Sequence, residues 1–146
     1  GTPYLFAEAF PRGRGRFTAV DFRPSAELPD DEYPFILSTG RVLYHWHGGT
    51  MTRRSQLDHI YPEATVEINP QDAARLGVRA ESPMRVSSRR GSIVVKAIVT
   101  ERSPEGMVFI PFHFAEAAAN ELTLDARDPQ AKIPDYKVCA VRIEPA

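Results

Sequence analysis

The feature that most limits the fold is a series of short, β-branched segments separated by turn residues. Segment 92–100 alternates buried-type and polar side chains and is rich in valine and isoleucine. This pattern is typical of a strand with one buried face. Related apolar runs predict further strands over 34–38, 42–47, 64–68, 84–88, 107–110 and 138–143. Many short strands with few helical signals favour a mainly β protein, a β-barrel or sandwich with small helical inserts.

One helix has clear boundary signals. Asn69 is a favourable N-cap, and Pro70 suits the first helical position. Asp72 stands in the first turn, near the positive end of the helix dipole, and Gly77 suits the position after the last turn. The sequence therefore predicts a helix of about two turns here.

The first 32 residues differ from the rest of the chain. Four prolines and the flexible basic run Arg-Gly-Arg-Gly-Arg at 12–16 predict an extended, irregular segment. We interpret 1–32 as a lead-in arm and 33–146 as the folded β domain. The alternative is a disordered linker. Aromatic side chains that could attach the arm to another surface are Phe6, Phe10, Phe17 and Phe22.

Composition excludes several classes of protein. The single cysteine, Cys139, excludes an intramolecular disulfide framework, a zinc ribbon and a self-contained iron–sulfur site. A net charge of −1 argues against a nucleic-acid partner. No apolar run approaches the roughly 20 residues that span a bilayer. No leader is visible near Gly1, so we expect a cytoplasmic protein, and a first residue other than methionine suggests part of a longer one.

The densest set of functional side chains lies between residues 39 and 54. From Tyr33 to Leu57 there are three arginines and two histidines but no acidic residue. Glycines allow a ligand close to the backbone, and threonine hydroxyls with guanidinium groups suit phosphate oxygens. A solvated basic loop is the alternative, but Trp46 and Met51 would be costly to expose. The pattern favours a phosphate-bearing ligand.

Three histidines allow a second interpretation. His45 and His47 would share one face of a strand, and with His113 they could form a metal site. No carboxylate ligand pattern accompanies them. Histidines that donate hydrogen bonds in a pocket or loop are the other possibility, and the residues favour it.

Polar residues elsewhere could complete a binding site. The amide of Asn120 suits one edge of a heterocycle, although it could instead cap a turn. Tyr136 could stack on a ring, and Lys137 could reach an anionic group. The tip at 87–91 is either a basic hairpin turn or a ligand contact. Without a nucleophile–base pair or a phosphate loop, the residues indicate a binding domain for a phosphorylated, ring-containing ligand.

Seven motifs occur together in one order. They lie at 33–41, 45–54, 67–77, 88–91, 111–114, 120–123 and 134–141. With this order and spacing, the chain resembles the C-terminal domain of molybdopterin-dependent oxidoreductases, and within them the formate dehydrogenase α subunit. The resemblance runs from about residue 33 to the end, and the arm resembles the segment that precedes this domain.

The resemblance implies a double-psi β-barrel that binds molybdopterin guanine dinucleotide around molybdenum or tungsten. It implies no catalytic residue and no metal ligand in this chain. The residues that it places near the pterins and pyrophosphates are Thr39, Gly40, Arg41, His45, His47, Thr50, Met51, His113, Asn120, Tyr136 and Lys137.

The resemblance also implies partners. The ligand of the metal, the catalytic histidine and arginine, and an iron–sulfur cluster would belong to upstream domains of the parent subunit, and electron-transfer subunits would join it. This chain alone is not expected to oxidise formate. The alternatives are the same domain of an assimilatory nitrate reductase, or a free-standing β-barrel module that binds a protein through its arm.

Overall fold

Six strands form the body of the molecule. In the computed structural model, which describes residues 1–146, they are β1 (Phe35–Gly40), β2 (Thr65–Ile68), β3 (Pro83–Ser87), β4 (Ser92–Val99), β5 (Met107–Pro111) and β6 (Cys139–Pro145). The helices are short: α1 (Leu57–Ile60), α2 (Pro70–Leu76) and single 3-10 turns at Thr52–Arg54, Ala115–Ala117 and Ala119–Glu121. The prediction of a mainly β protein is confirmed. No helix has the length and apolar character needed to cross a membrane.

The strands close into a barrel in the order β1-β5-β2-β4-β3-β6. β1 pairs in parallel with β5, and β2 pairs in parallel with β4, whereas the other four pairings are antiparallel. Since β5 lies between β1 and β2, the connection from β1 to β2 crosses it. The connection from β4 to β5 crosses β2 in the same way. These two crossings make the double-psi β-barrel that the family resemblance implied.

The barrel interior is filled by one face of each strand. In β4, Ile93, Val95 and Ala97 are buried while Val94 is exposed, which is the expected two-residue period. Strands β1, β3, β5 and β6 contribute Leu37, Val86, Val108 and Val141, which are completely buried. These side chains belong to a cluster of 21 buried hydrophobic residues, so the strands share a single core.

Helix α2 closes the barrel end where β2 and β4 finish. The Asn69 side chain accepts a hydrogen bond from the Gln71 N–H at 2.9 Å, and Gly77 has the left-handed φ of 68°. Both helix-boundary predictions are therefore confirmed. Asp72 is completely buried and accepts a hydrogen bond from the Gly106 N–H at 2.8 Å and another from Arg75. The helix is thereby joined to the β4–β5 connection.

The predicted strand at 42–47 is wrong. These residues form turns after β1, because β1 ends its pairing with β5 at Gly40 and His47 adopts a left-handed φ of 46°. Polar side chains rather than a strand ladder hold this segment. The arm, by contrast, contains no helix or strand, so its irregularity is confirmed, and Phe17 and Phe22 are almost fully exposed. The division at residue 32 stays a prediction.

We predict that Asp72→Ala destabilises the chain by about 2–3 kcal/mol, because it removes a completely buried carboxylate that accepts hydrogen bonds from the Gly106 N–H and from Arg75. The free energy of unfolding in urea measures this. Glu105→Ala is the matched control, since Glu105 is an exposed carboxylate 3.9 Å from the same Arg75. Its loss should cost under about 0.5 kcal/mol. Equal losses for the two variants would contradict the role given to Asp72.

Candidate functional site

A cleft lies where the parallel strands β1 and β5 end together. Gly40 and Pro111 are the last paired residues, so the connections 41–64 and 112–138 leave from the same end of the barrel. Between them is a cavity of about 450 Å³. Its lining residues are Arg41, His47, Phe112, Asn120, Thr123, Pro134 and Tyr136.

Arg41 is the positive charge of the cleft. Its Nη2 atom lies 3.0 Å from Nδ1 of His47, and its guanidinium carbon lies 5.9 Å from the centre of the Phe112 ring. No carboxylate forms an ion pair with Arg41. An exposed guanidinium with unused donors is suited to an anionic ligand such as a phosphate.

His113 holds segment 42–47, which carries the cleft residue His47, in place. Its Nε2 accepts a hydrogen bond from the Val42 N–H at 3.1 Å, so Nδ1 carries the hydrogen and donates it to the His47 carbonyl. The ring is buried, and this desolvation lowers the pKa of His113 below its ordinary value. His113 is therefore a neutral link between both ends of segment 42–47 rather than a contact for an anion.

His45 has a similar supporting role. Its ring is 2% exposed and its Nε2 donates to the Tyr61 carbonyl at 2.6 Å. Its Nδ1 lies 3.1 Å from the Thr52 hydroxyl, which also accepts a hydrogen bond from the Trp46 N–H at 3.2 Å. His45 thus holds the turn at residues 46–52 against α1.

The three-histidine metal site is not formed. Both ring nitrogens of His45 and of His113 are engaged by neighbouring groups, and Nδ1 of His47 faces Arg41. The strand that would have aligned His45 with His47 is absent. No group of three or more histidine, cysteine or acidic side chains is arranged to hold a metal ion.

Thr39 and Lys137 join the end of β1 to the far wall of the cleft. The Thr39 hydroxyl, which is buried, donates to the Tyr136 carbonyl at 2.5 Å. Lys137 Nζ donates to the Thr39 carbonyl at 2.6 Å and lies 5.1 Å from the centre of the Tyr136 ring. At Gly40 a Cβ atom would lie 2.6 Å from the Phe109 ring, so a larger residue there would require this ring to move. These residues do not line the cleft but fix the position of the residues that do.

The sequence-predicted residues therefore separate into three groups. Arg41, His47, Asn120 and Tyr136 line the cleft. The supporting residues behind it are Thr39, Gly40, His45, His113 and Lys137. Thr50 and Met51 lie outside the cleft on an exposed turn, and Trp46 is also 62% exposed, contrary to the expectation that these apolar side chains would be covered.

Three lining residues were missed as site residues: Phe112, Thr123 and Pro134. All three belong to motifs noted in the sequence, and Thr123 follows Asn120 by one 3-10 turn. Its hydroxyl donates to the Asn120 carbonyl at 3.1 Å. A search of the sequence for polar side chains does not identify Phe112 or Pro134 as lining residues, because these apolar residues can be assigned to the cleft only from the structure.

The basic segment 39–54 has less unpaired positive charge than its sequence indicates. Arg53 donates to both oxygens of Glu116, at 2.8 and 2.7 Å, and to Asp58 at 3.2 Å. These hydrogen bonds raise the pKa of Arg53 and lower that of Glu116. Because Glu116 is 63 residues away in sequence, the neutralisation cannot be read from the local charge pattern.

Cys139 is a core residue. It is 1% exposed, and burial raises the pKa of its thiol to about 11. The prediction that Cys139 acts as a small buried hydrophobe is confirmed.

Comparison with known families settles the family. Residues 35–140 match the family described as "Molydopterin dinucleotide binding domain". This chain belongs to the molybdopterin dinucleotide-binding domain family. The match covers the whole barrel up to the start of β6, including both connections that form the cleft.

Curated relatives agree with this assignment. F420-dependent formate dehydrogenase 1 subunit alpha of Methanococcus maripaludis is 49% identical over 99% of this chain. F420-dependent formate dehydrogenase subunit alpha of Methanocaldococcus jannaschii is 50% identical over 99% of it. The chain spans only 22% of the length of either relative.

A solved structure supports the fold. Acetylene hydratase from Pelobacter acetylenicus superposes with a TM-score of 0.69 at 18% identity, over 79% of this chain and 19% of that one. At this identity the likeness shows the barrel architecture alone.

The cleft fits the dinucleotide that defines the family. A phosphorylated, heterocyclic cofactor needs an anion-binding group, hydrogen-bonding groups for a ring edge, and flat apolar surfaces. Arg41 supplies the first and Asn120 and Thr123 supply the second. Phe112 and Tyr136, whose ring centres are 6.5 Å apart, supply the third.

We predict that the free energy of unfolding falls by up to about 1.4 kcal/mol per pH unit as the pH drops from 6.5 to 5.5. The unfolded chain binds a proton at His113 in this range, whereas the folded chain, with its lowered pKa, resists it. Urea unfolding at several pH values measures the slope. His113→Gln should flatten it. An unaltered slope in His113→Gln would refute this assignment.

Proposed function

We propose that the cleft at the ends of β1 and β5 binds molybdopterin guanine dinucleotide. The observation that carries this proposal is that the Arg41 guanidinium lines the cleft without an ion-pair partner. Arg41 and His47 bind the pyrophosphate. Asn120 donates and accepts hydrogen bonds at the edge of a heterocycle, and Tyr136 offers a ring face. The family membership and the polar lining of the cleft support this assignment.

When bound, the cofactor with its molybdenum or tungsten ion supplies a two-electron redox centre. The residues of this chain position the cofactor and shield it from water, and they supply no metal ligand. His113 and His45 keep the loop that carries His47 in place, and Thr39 keeps the segment that carries Tyr136 in place. Their contribution is preorganisation of the binding surface.

We further propose that the whole protein oxidises formate to CO2 in the cytoplasm. Two relatives that share about half of this chain's residues are named formate dehydrogenase α subunits, and neither is named a nitrate reductase. Because this chain spans 22% of their length, upstream domains with an iron–sulfur cluster and separate electron-transfer subunits belong to the proposal.

The nucleotide site is tested with the 146-residue chain and guanosine diphosphate. Trp46 is the single tryptophan, and its ring centre lies 4.5 Å from that of His47, so its fluorescence reports on the cleft. Arg41→Gln should weaken binding by roughly 10- to 150-fold, because loss of one charge-assisted hydrogen bond costs roughly 1.5–3 kcal/mol.

Arg54→Gln is the control, since Arg54 is also exposed, lies outside the cleft and forms no ion pair. It should bind guanosine diphosphate as the unmodified chain does. Equal weakening in both variants would indicate a general charge effect and would contradict a phosphate site at Arg41.

The activity is tested on the full-length product of the gene that encodes this sequence. We predict stoichiometric molybdenum or tungsten and dye reduction with formate, and no nitrate reduction. F420 and NAD⁺ are the acceptors to compare, since the relatives are named F420-dependent. Nitrate reduction without formate oxidation would overturn the formate assignment but leave the cofactor site intact.

A further inference from the structure

The end of the arm contacts the barrel through a nearly buried carboxylate. Glu27, 13% exposed, accepts hydrogen bonds from Arg90 at both oxygens, 2.9 and 2.7 Å long, and from Arg89 at 3.1 Å. It also accepts one from the Ala140 N–H of β6, at 2.9 Å. The hydrogen bonds from Arg90, the largest influence, lower the pKa of Glu27. The carboxylate is therefore charged and fully used within the fold.

Arg90 links Glu27 to a segment of the cleft. While its Nη atoms bind Glu27, its Nε donates to the Leu122 carbonyl at 2.9 Å. The neighbouring Gly91 lets the chain approach closely, because a Cβ there would lie 3.2 Å from the Glu121 carbonyl oxygen. Residues 119–123 are thus held against the β3–β4 hairpin, and they carry Asn120 and Thr123 of the cleft.

A second contact runs from the arm to the other cleft segment. The Ser25 hydroxyl donates to Oδ2 of Asp135 at 3.1 Å. Asp135 stands between Pro134 and Tyr136, both of which line the cleft. Ser25 is therefore bonded directly to one cleft segment, and Glu27, two positions later, is linked to the other cleft segment through Arg90.

We propose that Glu27 is a positioning residue for nucleotide binding, acting through Arg90 to fix the 119–123 segment, with Ser25 doing the same for 134–137. The arm residues 25–27, which we call the strap, belong functionally to the binding site although none of them lines it. The part of this inference that concerns nucleotide affinity rests on the proposed function, whereas the mechanical link can be measured without any ligand.

The geometry separates this role from ordinary stabilisation by an ion pair. A surface pair would act on the whole fold or not at all. Glu27 instead shares a single arginine with a carbonyl of the cleft segment, so its loss frees the guanidinium that holds Leu122. Asp30, three residues after Glu27, provides the contrast. It is also bound to an arginine, but to Arg89, which has no bond to residues 119–123.

The test compares Glu27→Gln with the matched variant Asp30→Asn in the 146-residue chain. Backbone hydrogen–deuterium exchange without ligand is measured first, followed by titration with guanosine diphosphate. In Glu27→Gln, exchange of 119–123 should rise about tenfold and affinity should fall about tenfold. Asp30→Asn should change both by less than twofold. Exchange in the core strands β4 and β5 shows whether each variant is folded.

Ser25→Ala is the second variant and removes only the other contact. It should raise exchange in 134–137 and leave 119–123 unchanged. Unchanged exchange of 119–123 in a folded Glu27→Gln chain would overturn the proposal, as would a rise spread equally over the whole barrel. Raised exchange of 119–123 with unchanged affinity would also overturn the positioning role.

A separate result decides the proposed function. If the unmodified chain shows no response to guanosine diphosphate, the nucleotide site fails. Selective loosening of 119–123 in Glu27→Gln would still establish the strap as a support of that segment. If Glu27→Gln does not fold, Arg90→Lys is used instead, because it keeps the charge but loses the bond to the Leu122 carbonyl. Hydrogen–deuterium exchange should then rise selectively in 119–123 of this variant.

Discussion

Parallel pairing of β1 with β5 is the constraint on which the rest of the structure depends. Parallel strands cannot be joined by a tight turn, so each needs a long connection. Both connections leave the barrel at the same end, since the two strands finish in register at Gly40 and Pro111. The cleft is the space between these connections. At the opposite parallel pair, β2 and β4, helix α2 and the buried Asp72 fill the corresponding space.

The side chains that support the cleft are either neutral or ion-paired, so the unpaired positive charge at the cleft comes from Arg41. His113 and His45 are buried and fully hydrogen-bonded, and Arg53 is neutralised by Glu116 and Asp58. A surface built in this way needs no rearrangement to accept an anion, because the groups that support it have their own partners. Such preorganisation reduces the entropic cost of binding.

Local patterns were sufficient to predict much of the fold. The strands from β2 onward and helix α2 follow from period-two burial and from the capping residues Asn69 and Gly77. The segment 42–47 could not be predicted, because its conformation depends on His113, a residue 71 positions away from Val42. The double-psi topology itself came from the resemblance of ordered motifs to a known family.

The candidate site was predicted as a region rather than residue by residue. Sequence identifies which residues carry polar groups, but not which of them are used internally. Thr39, His45 and His113 have the chemistry of ligand contacts, but they are buried and their polar atoms are hydrogen-bonded within the chain. Arg89 and Arg90, at an apparently ordinary hairpin tip, bind Glu27 of the arm. Each of these roles depends on a partner distant in sequence, which a single sequence does not show.

The central claim is that the cleft at the ends of β1 and β5 is the nucleotide site. The most direct measurement is a titration of the ¹⁵N-labelled chain with guanosine diphosphate, followed by backbone amide chemical shifts. We predict saturable shifts centred on Arg41, His47, Asn120, Thr123 and Tyr136. Shifts centred instead on the cavity beside Glu63, Val94 and Lys96, or no saturable shift at all, would contradict it.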